Sequence, residues 1–240
     1  MRFSRLIFAA AIAMAGLQAA AVPTRAADAP TLQADDHVLG NKNAPITIFE
    51  YASLTCPHCA AFTSDTLPKL QKEWIDTGKA KLVYRDFPLD QSALVAATVA
   101  QCFPPERYFP FIETLFQTQR EWAQNSEAAT KTALARIARL GGMGQAQFDA
   151  CANNQKLSDA VLNSRLAAQN QYGINSTPTF FVNGTKVVGD VPYDEFVKYL
   201  EAKSGAAAPS RVGPATAVND RPRDVIAAVR NWLSSLMSRT

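Results

Sequence analysis

Apolar and polar positions change their rhythm several times along this chain, and each change marks a different kind of element. The run Pro45-Ile46-Thr47-Ile48-Phe49-Glu50-Tyr51 is β-branched and aromatic, and predicts a strand. Further on, Phe62, Leu67, Leu70, Trp74 and Ile75 recur at helical spacing until Gly78 stops the pattern. Lys81-Leu82-Val83-Tyr84-Arg85 predicts a second short strand, ended by Asp86-Phe87-Pro88. From about residue 90 to 172 only helical patterns follow, over 91–103, 105–119, 126–140, 144–152 and 156–171. Pro104-Pro105, Asn125-Ser126, Gly141-Gly142 and Asn153-Asn154 separate them. Strand character returns at Thr179-Phe180-Phe181-Val182. The pair Asn183-Gly184 signals a tight hairpin into Thr185-Lys186-Val187-Val188. Residues 193–203 close the pattern as a helix with Phe196, Val197 and Leu200 on one face. Strands flanking a helical block predict an α/β fold with an inserted all-helical domain at about 90–172.

The two ends read differently from this middle. Arg2 and Arg5 precede an apolar run, Leu6 to Leu17, and small residues follow, so residues 1–26 predict a secretory signal peptide. The run is short for a permanent membrane span, and an uncleaved anchor is the alternative. Cleavage is expected after Ala26, or else after Ala21. Residues 27–36 are polar and Ala-rich and predict a flexible lead-in to a main domain at 27–203. Residues 204–223, rich in Ala, Pro, Gly and Ser, predict a linker. Residues 224–240 predict an amphipathic C-terminal helix, with Val225, Ile226, Val229, Trp232, Leu233, Leu236 and Met237 as its apolar stripe. That helix could dock on the domain, bind a partner or lie on a membrane surface.

Charge adds little once these segments are separated. The chain carries a formal +3, with a sequence pI near 8.7. Residues 1–26 hold three arginines and no acid, and residues 204–240 hold five arginines against Asp220 and Asp224. The basic balance therefore comes from the ends, and residues 27–203 are net acidic. No Lys/Arg run with interleaved aromatics occurs, so nucleic acid is not an expected partner.

The chemistry is concentrated in Cys56-Pro57-His58-Cys59, where the first strand gives way to the first helix. Residues i and i+3 face one side of a helical turn, so the two sulfurs can close a small ring. Cys56 at a helix N-terminus meets unpaired N–H groups that favour its thiolate, the nucleophilic form. Pro57 suits the first helical position because its missing N–H is not needed there. His58 can bring positive charge close to Cys56. A zinc half-site or two unrelated core cysteines are the alternatives, but zinc needs four ligands, and Cys102, Cys151 and His37 are scattered. No metal is expected.

The run Ile48-Phe49-Glu50-Tyr51-Ala52-Ser53-Leu54-Thr55-Cys56-Pro57-His58-Cys59 is followed far downstream by Ser176-Thr177-Pro178-Thr179-Phe180-Phe181-Val182-Asn183-Gly184. Together they closely resemble the DsbA-like thiol:disulfide interchange proteins, over roughly residues 37–203. The resemblance implies a thioredoxin fold, with Cys56 as the exposed attacking cysteine and Cys59 as its buried partner. It implies that Thr177-Pro178 is the cis-proline loop beside the site, where a substrate peptide would pair as an added strand. A trans Pro178 that merely starts the next strand is the plain alternative. Glu50 matches the family's buried acid beneath the redox pair, a proton relay for Cys59, or else reaches solvent at a strand end. Thr at position 177 is shared with reducing and isomerising relatives, whereas some strongly oxidising members carry Val.

Cys102 and Cys151 remain, each near the end of a predicted helix. In an oxidising compartment an even remainder suggests a structural disulfide between them, and two buried free thiols are the alternative. The expectation is thus a periplasmic dithiol oxidase that donates the Cys56–Cys59 disulfide to unfolded exported proteins. No cofactor beyond that disulfide is expected. A membrane quinone-linked thiol oxidase would reoxidise the pair, and the protein would act as a monomer. A disulfide isomerase or reductase of the same fold, or a peptide-binding chaperone, are the competing readings.

Overall fold

The computed structural model describes residues 29–124 and 126–204. The predicted signal peptide, the bulk of the linker and the C-terminal helix lie outside the described residues. At the centre is a five-stranded sheet: β1 (His37–Leu39), β2 (Ile46–Ala52), β3 (Ala80–Asp86), β4 (Thr179–Val182) and β5 (Thr185–Val188). The spatial order is β1-β3-β2-β4-β5. β2 and β3 run parallel, and the other neighbours are antiparallel. Every residue of β3 is buried, which is why that strand reads as a short continuous run with no clean alternation.

β1 is the strand that the sequence pattern does not announce. Three residues are too few to show a period of two, and pairing with β3 supplies what propensity does not. The lead-in before it is also more fixed than its composition suggests. Pro30 is buried. Arg85 donates to the Thr31 carbonyl at 2.7 Å and forms an ion pair with Asp36 at 2.8 Å. A buried guanidinium needs acceptors, and this segment provides them.

α1 (Pro57–Ala61) and α2 (Leu67–Leu70) belong to one continuous helical stretch, in which Phe62–Thr66 and Gln71–Ile75 are π-helical turns. Pro68 lacks the N–H that an α-helix would use there, and the wider turn precedes it. Gly78 ends the stretch at φ +73°, a conformation without steric cost for glycine. Asn183 and Gly184 both have positive φ, which gives the two-residue β4–β5 turn the twist that its strands require.

The helical insertion comprises α3 (Gln91–Ala100), α4 (Pro105–Gln117), α5 (Gln119–Trp122), α6 (Glu127–Leu140), α7 (Gln145–Ala152) and α8 (Gln155–Tyr172). That is six helices where the pattern predicts five. Thr118 leaves helical geometry and splits off α5. α3 stops at Ala100, ahead of its predicted end, because the chain must turn before Pro104. Asp90, Ser126 and Asn154 cap α3, α6 and α8 through their side chains. α9 (Tyr193–Ser204) then closes the fold.

The two faces of the sheet are covered by different partners. Ile48, Leu82, Phe180 and Val182 pack with Phe62, Leu70, Phe196 and the inner sides of α3, α4 and α6. Phe49, Tyr51, Val83 and Phe181 pack with Ala168, Ile174 and Phe87 on the opposite face. Within the insertion, Cys102 and Cys151 form a disulfide with Cα atoms 6.3 Å apart, across 49 residues of chain. Loop-closure entropy over that span is worth up to about 4 kcal/mol. The double variant Cys102→Ser/Cys151→Ser should therefore unfold at lower denaturant while keeping the exchange chemistry of Cys56 and Cys59. A midpoint equal to that of the parent in urea titration would count against the bridge as a stabiliser.

Candidate redox site

β2 ends at Ala52, and the chain turns through Ser53-Leu54-Thr55 to deliver Cys56 as the N-cap of α1. Cys56 has extended backbone geometry, with φ −78° and ψ 121°, and Pro57 occupies the first helical position. The next free backbone donors, on His58 and Cys59, both favour the anion of Cys56. Cys56 and Cys59 are both free thiols.

The environments of the two sulfurs are opposed. The Cys56 pKa is lowered from 9.0 to about 5. The Cys59 S–H donating to the Cys56 sulfur is the largest cause, partly offset by burial. The Thr177 side chain and the two backbone N–H groups add to it. Cys59 is pushed far above the ordinary thiol range. Burial is the first cause, followed by the hydrogen bond it gives Cys56 and by the charges of Cys56 and Glu50.

The expected exposure of Cys56 needs correction, because the residue is only 6% exposed against 0% for Cys59. The loop containing Thr177 lies over it, and as a thiol Cys56 donates to the Thr177 carbonyl at 3.3 Å. The Thr177–Pro178 peptide bond is cis. Pro57 and His58 are exposed. The His58 backbone N–H favours the Cys56 thiolate.

Glu50 is 2% exposed, and its Oε1 has no hydrogen-bond partner. Its carboxyl is raised to about 8, first by burial and then by the Cys56 charge. It therefore does not reach solvent at a strand end. Of the residues singled out in the sequence, Cys56, Pro57, His58, Cys59, Glu50, Thr177 and Pro178 converge on one end of the sheet. Cys102 and Cys151 lie elsewhere, in their own bridge. Among the described residues no cluster of three His, Cys, Asp or Glu side chains is arranged to hold a metal ion.

Two contacts escaped the sequence reading. Gln119, at the start of α5, donates from Nε2 to the carbonyls of Leu54 at 2.7 Å and Cys56 at 3.1 Å. Asp90 caps α3 and also accepts from the Thr55 hydroxyl at 2.6 Å. Asp90 carries a recognisable cap signal, but nothing in the sequence distinguishes Gln119 from the other glutamines of the insertion.

The comparisons with known proteins agree with this geometry. Residues 32–202 match a thioredoxin family model. A Rickettsia typhi relative, provisionally named a protein-disulfide oxidoreductase, is 35% identical over 154 residues, covering 63% of this chain and 56% of that protein. The chain thus spans a little over half the length of the curated relatives it first matches. Disulfide bond formation protein D of Bacillus subtilis is 28% identical, over 68% of this chain and 75% of its own length. Among solved structures, the α-DsbA1 of Wolbachia pipientis superposes with a TM-score of 0.69 at 34% identity, covering 73% of this chain and 94% of that one. The sheet, the inserted helices, the Cys56–Cys59 pair beside a cis proline and these likenesses lead to one assignment: the chain belongs to the thioredoxin family, as a DsbA-like thiol:disulfide interchange protein.

Proposed function

We propose that the protein works outside the cytoplasm, in the periplasm, as an oxidoreductase that donates its Cys56–Cys59 disulfide to exported proteins as they fold. The observation that carries this reading is the opposition between an easily ionised Cys56 and a Cys59 that resists ionisation. A substrate thiolate attacks the Cys56 sulfur, because Cys59 is out of reach at 0% exposure. The Cys56–Cys59 bond breaks, and Cys59 keeps the electron pair and takes a proton from Glu50. A second substrate thiolate then attacks the substrate sulfur of the mixed disulfide and expels Cys56 as a thiolate. Two electrons have passed from the substrate to the pair. A membrane-bound, quinone-linked thiol oxidase would withdraw them again, and no other cofactor is required.

The direction follows from which form is favoured. Each tenfold change in an acid constant is worth about 1.4 kcal/mol, so lowering Cys56 to about 5 favours the dithiol form by several kcal/mol. A protein stabilised by accepting electrons is an oxidant. In the mixed disulfide Cys56 no longer donates to the Thr177 carbonyl, which becomes free to accept an N–H of the bound peptide as an added strand. The names of the Rickettsia and Bacillus relatives support the same chemistry. Thr177 beside the cis proline favours one competing reading, an isomerase or reductase. The equilibrium of the pair with glutathione decides between them: a strongly oxidising constant is expected, and a strongly reducing one would reverse the assignment.

Two further outcomes follow from the sulfur environments. Thiolate absorbance of the reduced protein should rise in one step near pH 5. The step should disappear in Cys56→Ser and move upward in Cys59→Ala, which removes the principal donor. A step at pH 8–9 in the parent would sink the assignment of Cys56 as nucleophile. In the reduced form Cys56 should also add its own pH dependence to stability. Cys56 ionises near 9.0 when unfolded and near 5 when folded, so its contribution is complete above pH 9 and is lost as pH falls to 5. The dithiol form is expected to melt above the disulfide form at pH 8, with the gap closing by pH 4–5. A gap independent of pH would contradict it.

A further inference from the structure

The helical pattern over 105–119 is interrupted in the structure. Thr118 leaves helical geometry, at φ −107° and ψ 20°, and α5 restarts at Gln119. The break is firmly held on both sides. The Thr118 hydroxyl donates back to the Thr114 carbonyl at 2.7 Å. Trp122, with 0% of its surface exposed, donates from Nε1 to the Leu115 carbonyl at 2.7 Å, so the short helix α5 is fastened to the end of α4. What this change of direction delivers is the half-buried side chain of Gln119.

The Gln119 Nε2 carries two hydrogens and has two acceptors, the carbonyls of Leu54 at 2.7 Å and Cys56 at 3.1 Å. The reverse orientation would set an amide oxygen against both carbonyl oxygens, so these partners fix which end of the amide faces the turn. The two carbonyls lie on either side of Thr55, in the turn that carries β2 into α1.

Why that turn needs an outside hold follows from Pro57. An ordinary peptide group can be held by its N–H and by its C=O, but the Cys56–Pro57 peptide has only the Cys56 carbonyl. Its own helix supplies one partner, the Ala60 N–H at 3.2 Å, at the long end of the usual range. Cys56 makes no side-chain cap bond. The angle that orients this peptide, ψ of Cys56 at 121°, also sets where the sulfur stands relative to the first N–H groups of α1. Rotation about that angle would carry the carbonyl off the Gln119 amide.

We infer that Gln119 is a positioning residue for Cys56: its amide fixes the Cys56–Pro57 peptide so that the N–H groups of His58 and Cys59 stay where they favour the thiolate. The inference rests on the exchange reaction proposed above and adds to it a requirement supplied by the insertion. Closing the disulfide removes the anion that those N–H groups serve. The hold of Gln119 therefore favours the dithiol over the disulfide and strengthens the oxidising direction. A strut that merely steadied the fold would support both forms equally and leave their balance unchanged. The other groups that favour the anion, the Cys59 thiol and the Thr177 side chain, stay in place when Gln119 alone is changed.

The test compares two variants of the full chain. Gln119→Met keeps the length of the side chain and loses both donors, and Gln119→Ala loses them by truncation. In each, the thiolate absorbance of reduced Cys56 should titrate about one pH unit higher than in the parent, the size expected from one lost hydrogen bond. The equilibrium constant with glutathione should become less oxidising by up to about tenfold. In urea at pH 8 the reduced form should lose more stability than the oxidised form. Variants in which Cys56 titrates as in the parent, or in which both redox forms lose stability equally, would overturn the inference and leave Gln119 as a strut. A shift in one variant alone would assign the effect to packing and overturn it as well. A parent whose Cys56 titrates near the free-thiol value of about 8.5 would instead refute the redox reading itself, whatever the variants do.

Discussion

Negative charge is tolerated at the top of this site and not at its bottom, and most of the architecture follows from that inequality. Cys59 and Glu50 are sealed from solvent, and among the described residues neither has a cation beside it. An isolated charge in such surroundings costs several kcal/mol, so both groups stay protonated unless a proton can be moved between them. Cys56 sits only one helical turn away and meets the reverse situation. The Cys59 thiol, the Thr177 side chain and two backbone N–H groups all favour its anion. Under the proposed exchange the pair reacts through one sulfur and stores its proton under the other.

Holding that inequality requires parts of the chain that are far apart in sequence. β2 and its continuation supply Glu50 and the turn into α1. The loop at Thr177, 121 residues from Cys56, supplies the carbonyl that a protonated Cys56 uses and the hydroxyl that favours its anion. The insertion reaches in through Gln119, whose amide bonds to the carbonyls of Leu54 and Cys56. The Cys56 carbonyl also accepts the first helical bond, from Ala60 at 3.2 Å. The peptide that sets the helix start is thus held by its own helix and by the insertion together. In this respect the inserted helices are part of the redox site, as well as a wall beside it.

How much of this could be read beforehand depends on whether the cause was local. The strand into Cys56-Pro57-His58-Cys59, the Asn183-Gly184 turn and the helical block follow from periodicity and turn chemistry within short windows. Glu50 was conspicuous for a similar reason, a charge on a strand of apolar neighbours. β1 was not legible, because its three residues become a strand only by pairing with β3. The lead-in looked flexible because its partner, Arg85, is some 50 positions away. The exposure of Cys56 was misjudged for the same reason: what covers it arrives from residue 177. Gln119 gave no signal at all, since its role is defined by two carbonyl groups more than 60 residues upstream.

The buried side chains of Glu50, Tyr84 and Asp86, each with an oxygen atom that has no hydrogen-bond partner, make the sheet depart from the pattern that stability alone would select. Leu or Phe at positions 50, 84 and 86 would fill the same face without orphan oxygen atoms. Each unsatisfied buried group costs roughly 1–3 kcal/mol. Under the exchange proposed above, an apolar residue at position 50 would recover that free energy but remove the proton donor assigned to Cys59. The register of β1, β3 and β2 sets His37, Tyr84 and Glu50 side by side on one face. The polar groups therefore form one continuous strip, and the apolar core of Ile48, Leu82, Phe180 and Val182 closes around it. Keeping the cost in a single strip lets the remainder of the sheet obey ordinary packing rules.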